Sequence, residues 1–169
     1  ESRETVFAFE HYAKVCFKEF GDRVKFWQPH NEQNLIVRVE ERINIYDETD
    51  PLKIDKMRAQ MDYNMCLAHA LAVNACHEMI PGSKIGAAVS SSVTYPLTCK
   101  PEDIYAARMN DNFKVYYMLD MHQFGEYPGY YMNYLRERNI MPNMEESDKE
   151  ILKKAKMDFI AVNYYRTNC

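Results

Sequence analysis

The chain has 169 residues, enough for one domain with a real core, and its 47% hydrophobic and 27% charged content excludes a disordered segment. A net charge of −4 offers no basic face for nucleic acid, so no nucleic-acid partner is expected. The most apolar stretch, residues 65–76, is interrupted by His69 and Asn74 and is too short to span a bilayer, so no membrane partner is expected either.

Helical and extended patterns alternate along the chain, which predicts a parallel sheet with helices packed outside it. Val6, Phe9, Ala13, Cys16, Phe17 and Phe20 recur at helical spacing, with Ser2 as the candidate N-cap and Gly21 as the stop. A short strand over residues 24–27 follows, then a polar stretch over 34–49 in which Leu35-Val37-Val39 and Ile43-Ile45 alternate; loop and short strand both fit it. Pro51 suits the first position of a second helix. Its stripe of Ile54, Met57, Met61, Met65, Ala68, Ala72 and Cys76 runs to Ile80, where Pro81-Gly82 ends it. Residues 84–95 are rich in β-branched and small residues, as a buried parallel strand requires. A third helix is predicted over 103–119 and a shorter one over 130–138. Ser147 and Glu150 have capping-box spacing, opening a helix that leads to a last strand over 157–165.

Five cysteines, Cys16, Cys66, Cys76, Cys99 and Cys169, form an odd set without a Cys-x-x-Cys arrangement. They are expected to be reduced thiols, with Cys16, Cys66 and Cys76 as small core residues; this usage and a charged beginning without a secretory segment predict a cytoplasmic protein. His69 and His77, eight residues apart, are expected to be core or rim residues, while His11, His30 and His122 show no ligand spacing, so neither a metal nor a cofactor is expected. The tyrosines at 116–117 and 127–134 are assigned to helix packing.

Functional interest centres on Arg-Val-Lys-Phe-Trp-Gln-Pro-His-Asn-Glu-Gln at 23–33, where a short apolar strand opens into a loop at Asn31-Glu32. A carboxylate in such a place is fixed by the sheet yet open to a ligand. Together with Phe-Gly-Asp-Arg-Val at 20–24 and Asp-Phe-Ile-Ala-Val-Asn-Tyr-Tyr at 158–165, the segment resembles the family-1 glycoside hydrolases, retaining β-glycosidases built on a (β/α)8 barrel. Between these segments lie, in order, Leu-Ala-His-Ala-Leu-Ala-Val at 67–73, Lys-Ile-Gly at 84–86, Thr-Tyr-Pro-Leu-Thr at 94–98 and Gly-Glu-Tyr-Pro at 125–128. Together they look like the 6-phospho-β-glucosidase branch.

The resemblance implies that Glu32 is the general acid/base and that Asn31 binds the sugar 2-hydroxyl. It makes Tyr165 the residue that orients the nucleophile, with Asn163 lining the same pocket. The strands at 24–27, 84–95 and 157–165 become the fourth to sixth of a barrel, so residues 1–169 are expected to form one α/β segment, a partial TIM barrel. The nucleophile-bearing strand, the first three strands and the phosphate-holding loop of that branch have no counterpart here. Pro29 stands where the family motif has Thr, and His30 where it has an apolar or aromatic residue. The implied partner is a 6-phospho-β-glucoside or other β-glucoside, with self-association through exposed sheet edges. Two alternatives remain open: a catalytically dead module with a partial sugar pocket, and a segment of an unphosphorylated β-glucosidase.

Overall fold

The computed structural model describes residues 2–36 and 48–168. In chain order these form α1 (Glu4–Phe20), β1 (Phe26–Trp27), a single helical turn α2 (Gln33–Ile36), the long α3 (Pro51–Met79) and β2 (Lys84–Ser91). Then come α4 (Pro101–Asp111), a π-helical turn (Asn112–Tyr116), α5 (Tyr117–Phe124), α6 (Gly129–Glu137), α7 (Asp148–Lys154) and β3 (Phe159–Tyr164). All three strands are parallel, in the order β1-β2-β3.

Several elements begin or end for reasons visible in the residues. Asp50 accepts a hydrogen bond from the Leu52 backbone N–H at 2.9 Å, and Pro51 follows at a position that needs no donor. Gly125 closes α5 with φ +78, and an added Cβ would come within 2.7 Å of the backbone of Leu152 and Lys153. Gly86 lets β2 and β3 pair closely, since a Cβ there would meet the Phe159 carbonyl oxygen at 2.0 Å. With no side chain on Gly86 to separate them, the rings of Phe26 and Phe159 approach to 6.0 Å across the sheet.

Three expectations are revised. Ser147 makes no side-chain cap, so the capping box does not form; the buried Asp148 carboxylate instead accepts from the Glu145 N–H, from Tyr63 Oη at 2.8 Å and from both terminal nitrogens of Arg3. Burial would raise the Asp148 carboxyl, yet these hydrogen bonds hold it below its ordinary value. The polar stretch after Asn34 starts as the helical turn α2; its remainder, 37–47, lies outside the described residues. The third helix is interrupted by the π-helical turn, where two carbonyls also accept from side chains outside it: Asn112 O from Tyr130 Oη, beside its own bond from the Tyr117 N–H, and Lys114 O from Asn34 Nδ2.

The core lies between the helices and one face of β2. Ile85 and Val89 meet α3, whose middle turns are enclosed by α1, α5, α7 and β2, so burial extends well beyond the predicted stripe while Met57 stays exposed. Phe17 meets Trp27 edge to face at 4.9 Å. The tyrosines at 117, 127 and 131 pack together, Tyr117 and Tyr131 stacking at 4.1 Å. Cys66 and Cys76 are buried in the core as expected, Cys16 is half-buried, and these three and Cys99 are free thiols.

Three histidines distant in sequence also meet in this core. His69 on α3 lies 4.0 Å from His122 on α5 and 6.4 Å from His30 on the loop after β1, ring centre to ring centre. His77, by contrast, sits at the rim and pairs with Asp158 at 2.9 Å. Burial pushes His30 down to about 4 despite a hydrogen bond with the Met65 backbone, and burial together with His30 pushes His122 down to about 3; His69 is lowered by burial and by both neighbours. The folded chain therefore binds fewer protons than the unfolded chain once the pH falls below the ordinary histidine value. This contribution is fully present above about pH 6.5 and is lost progressively towards about pH 4. Asp158, held at about 2 against its burial by His77, the Ile85 N–H and Lys84, adds its own loss only at more acid pH. Urea midpoints should therefore fall between about pH 6.5 and about pH 4, and His122→Phe should flatten that slope. An unchanged slope in the variant would remove the cluster as its cause.

Candidate active site at the strand ends

The spacing of two pairings creates the site. Trp27 pairs with Ile85 and Asn31 with Ala88, so four steps along the first segment match three along β2. One residue is extra, and the surplus falls at Gln28-Pro29-His30, where Pro29 has no N–H to give to a ladder. The bulge reverses which face each side chain takes. His30 turns to the helices, where it meets Phe9 at 4.5 Å and approaches His69, while Asn31 comes over Ala88 on the opposite face. That face also carries Gly86 and Ser90 of β2 and their β3 partners Phe159 and Asn163.

Asn31, Glu32 and Asn163 are thereby brought together. Asn163 Nδ2 donates to Glu32 Oε1 at 2.9 Å and to Asn31 Oδ1 at 3.1 Å. Ala88 and Ala161 leave the room for this crossing. The Glu32 backbone has φ +52, a left-handed conformation in which a side chain other than glycine's is strained. It is held there by its own N–H donating to Ala88 O at 2.9 Å and by its carbonyl accepting from the Leu35 N–H at 2.8 Å. A half-buried carboxyl group with one oxygen held by an amide, at the C-terminal ends of parallel strands, is suited to passing a proton to or from a bound group.

Tyr165 stands just past the end of β3, 83% exposed, and it makes no hydrogen bond or ring contact among the described residues. It shares the C-terminal end of the sheet with Glu32 without being joined to it. The sequence reading gave the residues behind Glu32 no place in the site. Gln33 and Asn34 are 1% and 2% exposed, and Asp62, on the helix beneath them, is 1% exposed. No local signal set Asp62 apart, since it stands among Arg58, Gln60 and Asn64 in the sequence. Among the described residues, no group of three or more His, Cys, Asp or Glu is arranged to hold a metal ion.

Parallel strands with outer helices and a carboxylate at their C-terminal ends define a barrel-type unit, and solved structures agree. Beta-glucosidase from Thermotoga maritima in complex with glucoimidazole superposes with a TM-score of 0.80 at 30% identity, over 97% of this chain and 36% of that one. The family model described as Glycosyl hydrolase family 1 matches residues 1–169, and the chain belongs to that family. Among its relatives, the aryl-phospho-beta-D-glucosidase BglH of Bacillus subtilis is 38% identical over 167 residues, covering 98% of this chain and 35% of that protein. The 6-phospho-beta-glucosidase GmuD of the same organism is 38% identical over 166 residues, with the same two shares. The chain thus spans about a third of the length of the curated relatives it matches.

The strained turn gives a test of the backbone geometry. Glu32→Gly and Glu32→Ala remove the same carboxylate, but only glycine accepts φ +52 freely. The glycine variant should be the more stable of the two by on the order of 1 kcal/mol, read from denaturant unfolding. An alanine variant of equal or greater stability would mean that the turn is not held left-handed.

Proposed function

We propose that this chain is the acid/base-bearing segment of a retaining 6-phospho-β-glucosidase, with Glu32 as the proton donor to the leaving oxygen and then the base for water. The observation that carries the reading is the junction of Asn31, Glu32 and Asn163 on one face of the strand ends. In a retaining glycosidase one carboxyl group donates a proton while a second, about 5–5.5 Å away, attacks the anomeric carbon. Glu32 takes the first role. Asn31 binds the sugar 2-hydroxyl, Asn163 aligns both, and Tyr165, at the mouth, is the residue expected to face the nucleophile. By the family resemblance, the nucleophile belongs to a strand outside these 169 residues.

A phosphorylated substrate is favoured by the gradient of similarity. Identity is 38% to BglH and GmuD, whose names specify phospho-glucosides, against 30% to Beta-glucosidase A of Acetivibrio thermocellus. The side chains of Ile160, Val162 and Tyr164 are about half exposed on the face that β2 turns to its helices. This apolar stripe supports a barrel-type unit that the rest of a complete enzyme covers, and it makes the isolated chain prone to self-association.

The 169-residue chain alone should show no turnover of an aryl 6-phospho-β-glucoside, since proton transfer cannot replace a missing nucleophile. In the complete enzyme, Glu32→Gln should slow poor leaving groups by roughly 10²–10⁴ and good ones far less, and azide should restore turnover. Uniform slowing without azide rescue would remove Glu32 from the acid/base role.

A further inference from the structure

We propose that Gln33, held from beneath by Asp62, is a positioning residue for Glu32; this rests on the reading of Glu32 as the acid/base. The left-handed peptide at Glu32 is a conformation that surrounding contacts must over-determine, because the chain does not prefer it. The contacts on its upstream side belong to the sheet: the Asn31 pairing and the Glu32 N–H on Ala88. On its downstream side, two amide side chains turn into the core immediately after the carboxylate turns out. Asn34 accepts from the Ser90 N–H at 3.1 Å while donating to Ser90 O at 2.7 Å and to Lys114 O at 3.0 Å. Its side chain completes the edge of β2 much as a neighbouring strand would, and it ties that edge to the π-helical turn.

Gln33 reaches the other way. Its Nε2 donates to the Asp62 carbonyl at 3.2 Å, to Asp62 Oδ1 at 3.1 Å and to Cys66 Sγ at 3.2 Å. Asp62 is itself fixed, accepting from Tyr127 Oη at 2.7 Å and Tyr117 Oη at 3.3 Å. Burial, then the charge of Asp62, hold the Cys66 thiol well above its ordinary value, so it meets the amide as a neutral group. The carboxylate's backbone is therefore fastened to β2 on one side and to α3 on the other. Turning the Glu32 peptide out of its left-handed conformation, which would re-aim the carboxylate away from Asn163, requires one of these fastenings to open.

Gln33 also carries a cost that separates positioning from stability. Its Oε1 is buried without a hydrogen-bond partner among the described residues. Methionine has nearly the same length and volume, so Gln33→Met removes the anchoring donor and the unsatisfied acceptor together, and Asp62 keeps both tyrosine hydroxyls. The fold should survive while the grip on Glu32 is lost.

The test uses the complete enzyme and two substrates, a dinitrophenyl and a methyl 6-phospho-β-glucoside. The first needs little proton donation and the second needs it fully. Gln33→Met should lower kcat/KM, which reports the first, acid-assisted step, by at least about tenfold on the methyl substrate and leave kcat/KM on the dinitrophenyl substrate within about twofold. Asp62→Asn should shift the ratio of the two rates in the same direction, and it decides the matter if the methionine variant does not accumulate folded. Asp158→Asn, which disturbs the His77 and Lys84 contacts at the opposite end of β2, should lower stability and leave the ratio unchanged. Equal slowing of both substrates by the Gln33 and Asp62 variants, or no change in either, would overturn the positioning role. If Glu32→Gln itself lacks the leaving-group selectivity and the azide rescue, it is the acid/base reading that fails.

Discussion

One surplus residue between Trp27 and Asn31 governs the geometry of the rest. A parallel pairing of constant step would put position 30 opposite Ala88 and aim Asn31 into the helices. With the bulge at Gln28-Pro29-His30 the phase reverses, so the imidazole of His30 is buried beside His69 and the amide of Asn31 lies over the opposite face. The histidine cluster and the polar junction at Glu32 are two consequences of the same irregularity. Each anchors the other, because sliding the segment by one residue would bury Asn31 and expose His30 at once.

Glycine and alanine on β2 serve the same arrangement from the other side. Gly86 allows the closest approach of β3, and Ala88 sits beneath the place where Asn163 reaches towards Asn31 and Glu32. Larger residues on that face would fill the space that the amide crosses. The opposite face of the same strand presents Ile85 and Val89 to the helices, so apolar and small residues alternate in step with the two demands placed on the strand.

The element order was legible because its signals are local. The Asp50-Pro51 pair opens α3, the β-branched and small residues of 84–91 make β2, and the motifs flanking Glu32 and Asn163 announce the two residues that meet. What stayed hidden depends on long-range geometry. Ser147 and Glu150 have the spacing of a capping box, but the buried Asp148 gathers Arg3, Tyr63 and the Glu145 N–H, and that tertiary network overrides the local motif. The meeting of His30, His69 and His122 leaves no spacing pattern, since it arises from a bulge, a long helix and a helix after a π-helical turn. Asp62 likewise looks like one polar residue among several, beside Arg58, Gln60 and Asn64, until Gln33, Tyr117 and Tyr127 arrive from three other places.

The two halves of the proposed chemistry differ in what they require of the chain. Among the described residues, the contacts that orient Glu32 come from β2, β3, α2, the π-helical turn and α3. A proton donor positioned in this way depends on a bulge, a strained peptide and two buried amides, and these are short-range consequences of adjacent βα units. Covalent attack at the anomeric carbon depends on a carboxylate about 5–5.5 Å from the first, and only closure of the barrel brings a remote strand that near. In that proposal, proton transfer is a property of the local unit, while retention of configuration is a property of the closed ring of strands. On the proposed reading, that division lets about a third of a barrel hold the proton-transfer geometry while catalysis depends on the remainder.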